Sequence, residues 1–169
     1  MKKILLLVLT ITSISAVHAN ILGKYSLVSS TKESSNKSLC SSELEIIKSA
    51  PDTLEIEGSS DLGTYYNIDS AEGVLIVAGI NKGDQRDNST NQSHGEKYVT
   101  TNNAILNGDN FKLTSTSKTK FVLTLSKTVN TLEMSKNNKT LSLKLKRSFV
   151  DSFGSNNWSA EEVCKYTEE

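Results

Sequence analysis

Histidine is nearly absent from this sequence. His18 and His94 are the two in 169 residues, and His18 falls in a leader expected to be removed. A Ser-His-Asp or Cys-His arrangement would have to use His94, which sits beside Gly95 in a polar stretch with no nucleophile motif. It reads as a solvated surface imidazole. Cysteine is as scarce, with Cys40 and Cys164 alone. If those two pair, zinc is left short of nitrogen and sulfur ligands. No catalytic residue, metal or cofactor is therefore expected. Net charge is missing too, 19 basic side chains facing 19 acidic ones. A balanced chain gives no electrostatic argument for nucleic acid or for an anionic membrane. No apolar run, the first included, reaches the roughly 20 residues of a spanning helix. No internal repeat, low-complexity tract or linker marks a domain boundary.

The one long apolar run is the first. Lys2 and Lys3 precede it, it extends from Ile4 to Ile14 with Thr10, Thr12 and Ser13 diluting its end, and Val17-His18-Ala19 follows with small residues at the two positions a signal peptidase reads. That order predicts a cleavable export signal over residues 1–19 and a secreted or periplasmic domain over residues 20–169. One domain of 150 residues can bury a real core. The mature chain would carry 17 basic against 19 acidic groups, and a monomer with no membrane span is expected. In an exported chain two cysteines are expected to bond to each other, with free thiols or a dimer bridge as alternatives. A Cys40–Cys164 bridge closes 124 positions and removes about 4–5 kcal/mol of unfolded-state entropy in the chain model.

What is present is alternation. Leu141, Leu143 and Leu145 share one parity, and Ser142, Lys144 and Lys146 the other. Period two is strand geometry with one face buried. Phe121, Leu123 and Leu125 alternate likewise, then Leu132 and Met134, then a turn at Asn137-Asn138, so these runs predict an antiparallel meander. Leu44 and Ile46, the turn Ala50-Pro51-Asp52, and Leu54 and Ile56 predict a hairpin with Glu43, Glu45, Glu55 and Glu57 on its outer face. Residues 74–80 are almost wholly apolar and predict a strand covered on both sides or one in mid-sheet. Asn107-Gly108 predicts a hairpin between 98–106 and 111–113. Residues 23–28 and 64–68 bring the count to about nine or ten strands. The fold class is all-β, one antiparallel barrel of about 8–10 strands, with a β-sandwich as the alternative. Residues 81–95 hold no large apolar side chain and read as a long polar loop. Ser159-Ala160-Glu161-Glu162 has the form of a capping box and predicts a short C-terminal helix, with a final strand through 163–166 as the alternative.

Gly23-Lys24-Tyr25 opens the first strand and resembles the Gly-x-Trp start of lipocalins, the secreted calycin barrels that hold small apolar ligands. Tyr25 stands where those proteins have Trp. Lipocalins also carry an Arg near the end of the last barrel strand, packed across that aromatic ring. Arg147 has the parity of Leu141, Leu143 and Leu145 and is the candidate for that place, its alternative being a strand end that reaches solvent. The family's middle Thr-Asp-Tyr-type motif and its long helix are not seen. The resemblance implies a barrel with a lined interior. The site would then be Tyr25, Leu44, Ile46, Phe121, Leu123, Leu143, Leu145 and Arg147, and the function non-enzymatic binding of a small apolar ligand. A second class is an exported interaction or inhibitor module, working through residues 81–95 and through Phe153 and Trp158. A third is a hydrolase using Glu55 and Glu57, about 7 Å apart on one strand, but their presumed place on the solvated face argues against it.

Overall fold

The computed structural model describes residues 20–32, 39–58, 70–71, 73–91, 95–121 and 123–169. The expected export signal, the expected strand over 64–68 and His94 lie outside the described residues. Eleven strands make one antiparallel sheet: β1 (Gly23–Lys32), β2 (Glu43–Ala50), β3 (Thr53–Glu57), β4 (Ser70–Ala71), β5 (Val74–Val77), β6 (Gln85–Asn91), β7 (Glu96–Asn107), β8 (Asn110–Lys120), β9 (Thr124–Asn137), β10 (Thr140–Asp151) and β11 (Trp158–Glu168). Their order across the sheet is β4-β5-β3-β2-β1-β11-β10-β9-β8-β7-β6. From β6 to β11 the chain is a plain meander. The first and last strands pair with each other, β1 beside β11, and among the described residues this is the one strand ladder between the early strands and the late ones.

Alternation fixes which face is buried. Leu141, Leu143 and Leu145 of β10 meet Leu132 and Met134 of β9 and Cys164 and Tyr166 of β11 on one side. Phe111 and Leu113 of β8 continue it, with Ala104 and Leu106 of β7. On the early flank Leu44, Ile46, Leu54, Ile56, Leu75 and Val77 face the same core. Turn chemistry sets the registers. Gly108 (φ 57°) and Asn138 (φ 53°) each open a two-residue loop, and residues with positive φ match the twist of paired strands there. Tyr25 of β1 is buried in this core beside Ile21, and its hydroxyl donates to the Ile21 carbonyl at 2.8 Å. Lys136 Nζ lies 5.6 Å from the Tyr25 ring centre and 2.7 Å from Glu168 Oε1. Burial works to lower the Lys136 pKa, but the Glu168 carboxylate and the Tyr25 phenol outweigh it and the pKa is raised.

Four expectations change. Residues 81–95 are not one long loop, because Gln85–Asn91 is the edge strand β6, fully paired with β7. An edge strand with two solvated faces needs only backbone partners, so it leaves no apolar trace. Of the two alternatives at the C-terminus the strand forms and the helix of the Ser159 capping box does not, since Trp158–Glu168 has a ladder on each side. Residues 74–77 form the strand next to the sheet's edge rather than a covered or central one, and Ile76 is exposed. Phe121 and Leu123, expected to face inward, stand in the β8–β9 turn, 60% and 76% exposed. Phe121 N–H donates to the Leu123 carbonyl at 3.1 Å, which turns the chain inside what reads as one alternating run.

The sheet is curled. If it were flat, β5 and β6 would be nine strand spacings apart, about 43 Å. The connection from Val77 to Gln85 spans at most about 29 Å. The linker therefore draws the two flanks toward each other. Ile80 N–H donates to Asp52 beside β3, while Asn81 N–H donates to Ala104 of β7. The Asn81 side chain also bonds both the N–H and the carbonyl of Leu106, at 3.0 Å each. No ladder joins β6 to β4 or β5 among the described residues, so the sheet is not closed by strand pairing. Asn81 holds the left-handed conformation (φ 61°) that Asn tolerates better than most residues. Asn81→Ala is expected to cost about 1–3 kcal/mol in urea unfolding, because it strands the Leu106 N–H and strains the turn. Asn81→Gly keeps the turn and should cost less.

Candidate functional site

The core fills only the lower half of the long strands. Above it the same inward parity continues with polar residues. Gln85, Asn102, Ser115, Asn130, Arg147 and Ala160 form one rung across β6 to β11. Asp87, Thr100, Ser117, Thr128, Phe149 and Trp158 form the next. The Thr100 and Ser117 hydroxyls lie 3.3 Å apart. Phe149 and Trp158 are stacked, with ring centres 6.2 Å apart and planes 18° apart. The sheet thus rises past its own core, carrying hydroxyls, amides and a small aromatic group.

The residues expected to hold a ligand divide between these zones. Tyr25, Leu44, Ile46, Leu143 and Leu145 are core side chains, none more than 3% exposed. Phe121 and Leu123 are at the far tip. Arg147 is half-buried with its guanidinium 5.4 Å from the Trp158 ring centre. It therefore has an aromatic plate, but the ring is Trp158, and the cation over Tyr25 is Lys136. The eight residues are not brought together.

An opening lies elsewhere, at the seam that the linker spans. A cavity of ≈ 460 Å³ is lined by Val77, Gly79, Gln85, Asn102, Ala104 and Leu113, with Ile76 and Ala78 completing it. Gly79 holds φ 71° there, and a Cβ would come within 3.3 Å of the Gln85 side chain. Asn102 Oδ1 is buried with no hydrogen-bond partner among the described residues. Leaving a buried acceptor unsatisfied costs about 1–3 kcal/mol. None of the lining side chains titrates or is nucleophilic. Sequence reasoning missed this site because it hangs on β6 and on the curl, and neither has a local signature.

Acidic groups serve other ends. Glu55 and Glu57 have the parity opposite to buried Leu54 and Ile56, as expected. Glu57 pairs across the ladder with Glu45, which is bridged to Lys24 at 3.0 Å. Asp84 accepts from the Asn103 amide at 2.7 Å. Glu162, read from sequence as a helix residue, is instead a buried carboxylate of β11 that accepts the Leu39 N–H at 3.0 Å. It holds the segment before β2 against β11, beside the Cys40–Cys164 disulfide, whose Cα atoms are 5.7 Å apart. No group of three or more His, Cys, Asp or Glu side chains that could hold a metal ion occurs among the described residues. No helix long and apolar enough to cross a membrane occurs among them. The chain matches no protein-family model, no curated protein and no solved structure.

Proposed function

We propose that this chain is an exported, non-enzymatic binding protein whose curled sheet acts as an incomplete barrel, with its ligand site in the seam cleft. The observation that carries this is Asn102, whose buried amide oxygen lacks a donor among the described residues, in a wall shared with apolar Val77, Ala104 and Leu113 and with the Gln85 amide. A small molecule with an apolar body and one N–H or O–H donor matches that wall once the Asn102 amide turns toward the cleft, the body burying apolar surface and the donor removing the cost of the bare acceptor. Binding is favoured over catalysis because amides, methyl groups and a glycine supply no acid, base or nucleophile. The proposal keeps the idea of a ligand held by a β-sheet interior but puts it at the seam rather than among Tyr25, Leu44, Ile46, Leu143 and Leu145. The leader at residues 1–19 and the disulfide favour an exported setting.

The test is native mass spectrometry of the protein purified without denaturation, followed by titration of the retained molecule or of an apolar fluorescent probe. Ala78→Phe adds bulk at an exposed position of the cleft wall and is expected to weaken binding about tenfold, roughly 1.4 kcal/mol, while leaving thermal unfolding unchanged. Unaltered affinity in that variant and in Asn102→Leu would remove the cleft as the site. The second class, interaction through surface loops, is favoured by a separate observation, the exposed side chains at the hairpin tips.

A further inference from the structure

Three hairpins end at the same edge of the sheet. Their turns follow β6, β8 and β10, far from the core, since Phe121 lies eight residues along the strand from buried Leu113, about 26 Å. Of the nine large apolar side chains that are exposed among the described residues, six belong to this edge: Tyr98, Phe121, Leu123, Val150, Phe153 and Trp158. Phe153 is 81% exposed, yet its hairpin is braced from within. Asp151 accepts from Phe153 N–H at 3.1 Å and from Ser155 Oγ at 3.0 Å, and its own N–H donates to Asn157 Oδ1 at 3.0 Å. Ser152 N–H donates to the Leu125 carbonyl at 3.1 Å and Ser152 Oγ to the Thr124 carbonyl, which ties this tip to its neighbour. Phe121 in turn packs near Gly95 of the third hairpin. These bonds fix the backbone of the tips, and Phe121, Leu123 and Phe153 stay mostly in solvent there.

The convex face just below them is basic. Lys97 is directly opposite Lys120, and Lys118 directly opposite Lys127, with Arg86 one rung further down. Like charges facing each other across a ladder destabilise a sheet. None of these four lysines makes an ion pair among the described residues. By strand parity, no acidic residue shares this face from that rung to the tips. The chain's neutrality conceals this, because Glu43, Glu45, Glu55 and Glu57 lie on the opposite flank.

We propose that this edge docks on a lipid surface bearing anionic headgroups. Phe121, Leu123 and Phe153 enter the headgroup–acyl boundary, Tyr98 and Trp158 sit at the interface where amphipathic rings are favoured, and the four lysines meet the headgroup charge. A bilayer fits better than a protein partner because the apolar groups crown convex turns instead of lining a groove, and because the cations stand in a band behind them.

Trp158 is the only tryptophan, so its fluorescence reports the edge directly. The disulfide-bonded protein is mixed with vesicles of phosphatidylcholine alone and of phosphatidylcholine with phosphatidylglycerol, and followed by emission and by co-sedimentation. A blue shift and co-sedimentation are expected with the anionic vesicles only, and both should fade as salt rises. Phe121→Ser with Phe153→Ser is expected to weaken partitioning by about tenfold or more. Each of Lys118→Gln and Lys127→Gln should weaken it about fivefold. Ile105→Ser, an exposed apolar site on the same sheet away from the tips, should leave it unchanged. Equal binding to both vesicle types, binding to neither, or equal losses from Ile105→Ser and the tip variants overturns the proposal. Because all these positions are exposed or half-buried, thermal unfolding of each variant should match the parent, so a loss of partitioning is not a loss of fold.

Discussion

Replacing both cysteines, as Cys40→Ser with Cys164→Ser, is expected to lower unfolding stability by about 2–5 kcal/mol. Two features place the loss toward the upper end. The bridge closes 124 positions, and loop entropy grows with the length closed. It also sits beside the one ladder that joins the early strands to the late ones among the described residues, β1 with β11. That ladder carries a register shift between Leu27 and Ser29, with Val28 turned out and 66% exposed. Without the bridge, β1 to β5 are held by that interrupted ladder, the linker bonds of Ile80 and Asn81, and the shared core. Urea unfolding of the oxidised protein, the reduced protein and the double variant measures the effect. The last two should agree, because each lacks the same constraint. A difference below about 1 kcal/mol between oxidised and double variant would mean that the unfolded chain is already compact enough for the bridge to remove little.

The core strands were legible because burial repeats every second residue, and the pattern is written locally. Leu141, Leu143 and Leu145, or Leu54 and Ile56, announce a face without reference to anything else. Asn107-Gly108 and Asn137-Asn138 announce turns for an equally local reason, the backbone conformation they tolerate. The pairing of Cys40 with Cys164 was legible from their even count and the export expected of the leader. What was not legible depends on who sits beside whom. Gln85–Asn91 becomes a strand because β7 presents an unpaired edge, and nothing in its own side chains records that. Glu162 reads as a helix residue until Leu39 is brought against it. The lysine face exists only in the register, which sets Lys97 against Lys120 and Lys118 against Lys127. A charge total sums over the whole chain and cancels this cluster against the glutamates of β2 and β3. The seam cleft is hidden for the same reason, since it is made by curl and not by any one segment.

The same phenylalanine-to-alanine change should have opposite consequences ten residues apart. Phe111 and Phe121 each begin a Phe-x-Leu run, and the alternation alone does not distinguish them. Phe111 pairs with Leu106 and Met134 and is 1% exposed, whereas Phe121 stands in a turn and is 60% exposed. Phe111→Ala removes a ring from a filled core and leaves a cavity, so it is expected to cost about 3–5 kcal/mol. Phe121→Ala removes a ring already in water and should change stability by no more than about 0.5 kcal/mol. Chemical denaturation of the two variants side by side measures the contrast. A comparable loss in both would place Phe121 inside, with Leu123 following by parity, and the interior would then extend up the whole length of β8. The difference in fate comes from distance to the turn. β7 and β8 are pinned at Gly108, and counting from that pin puts Phe111 on the first inward rung of β8 and Phe121 beyond the strand's last residue. A stable fold that tolerates loss of the Phe121 ring has no structural use for it, which is why a vesicle-binding deficit confined to the Phe121 variant would read as function and the same deficit in the Phe111 variant would read as unfolding.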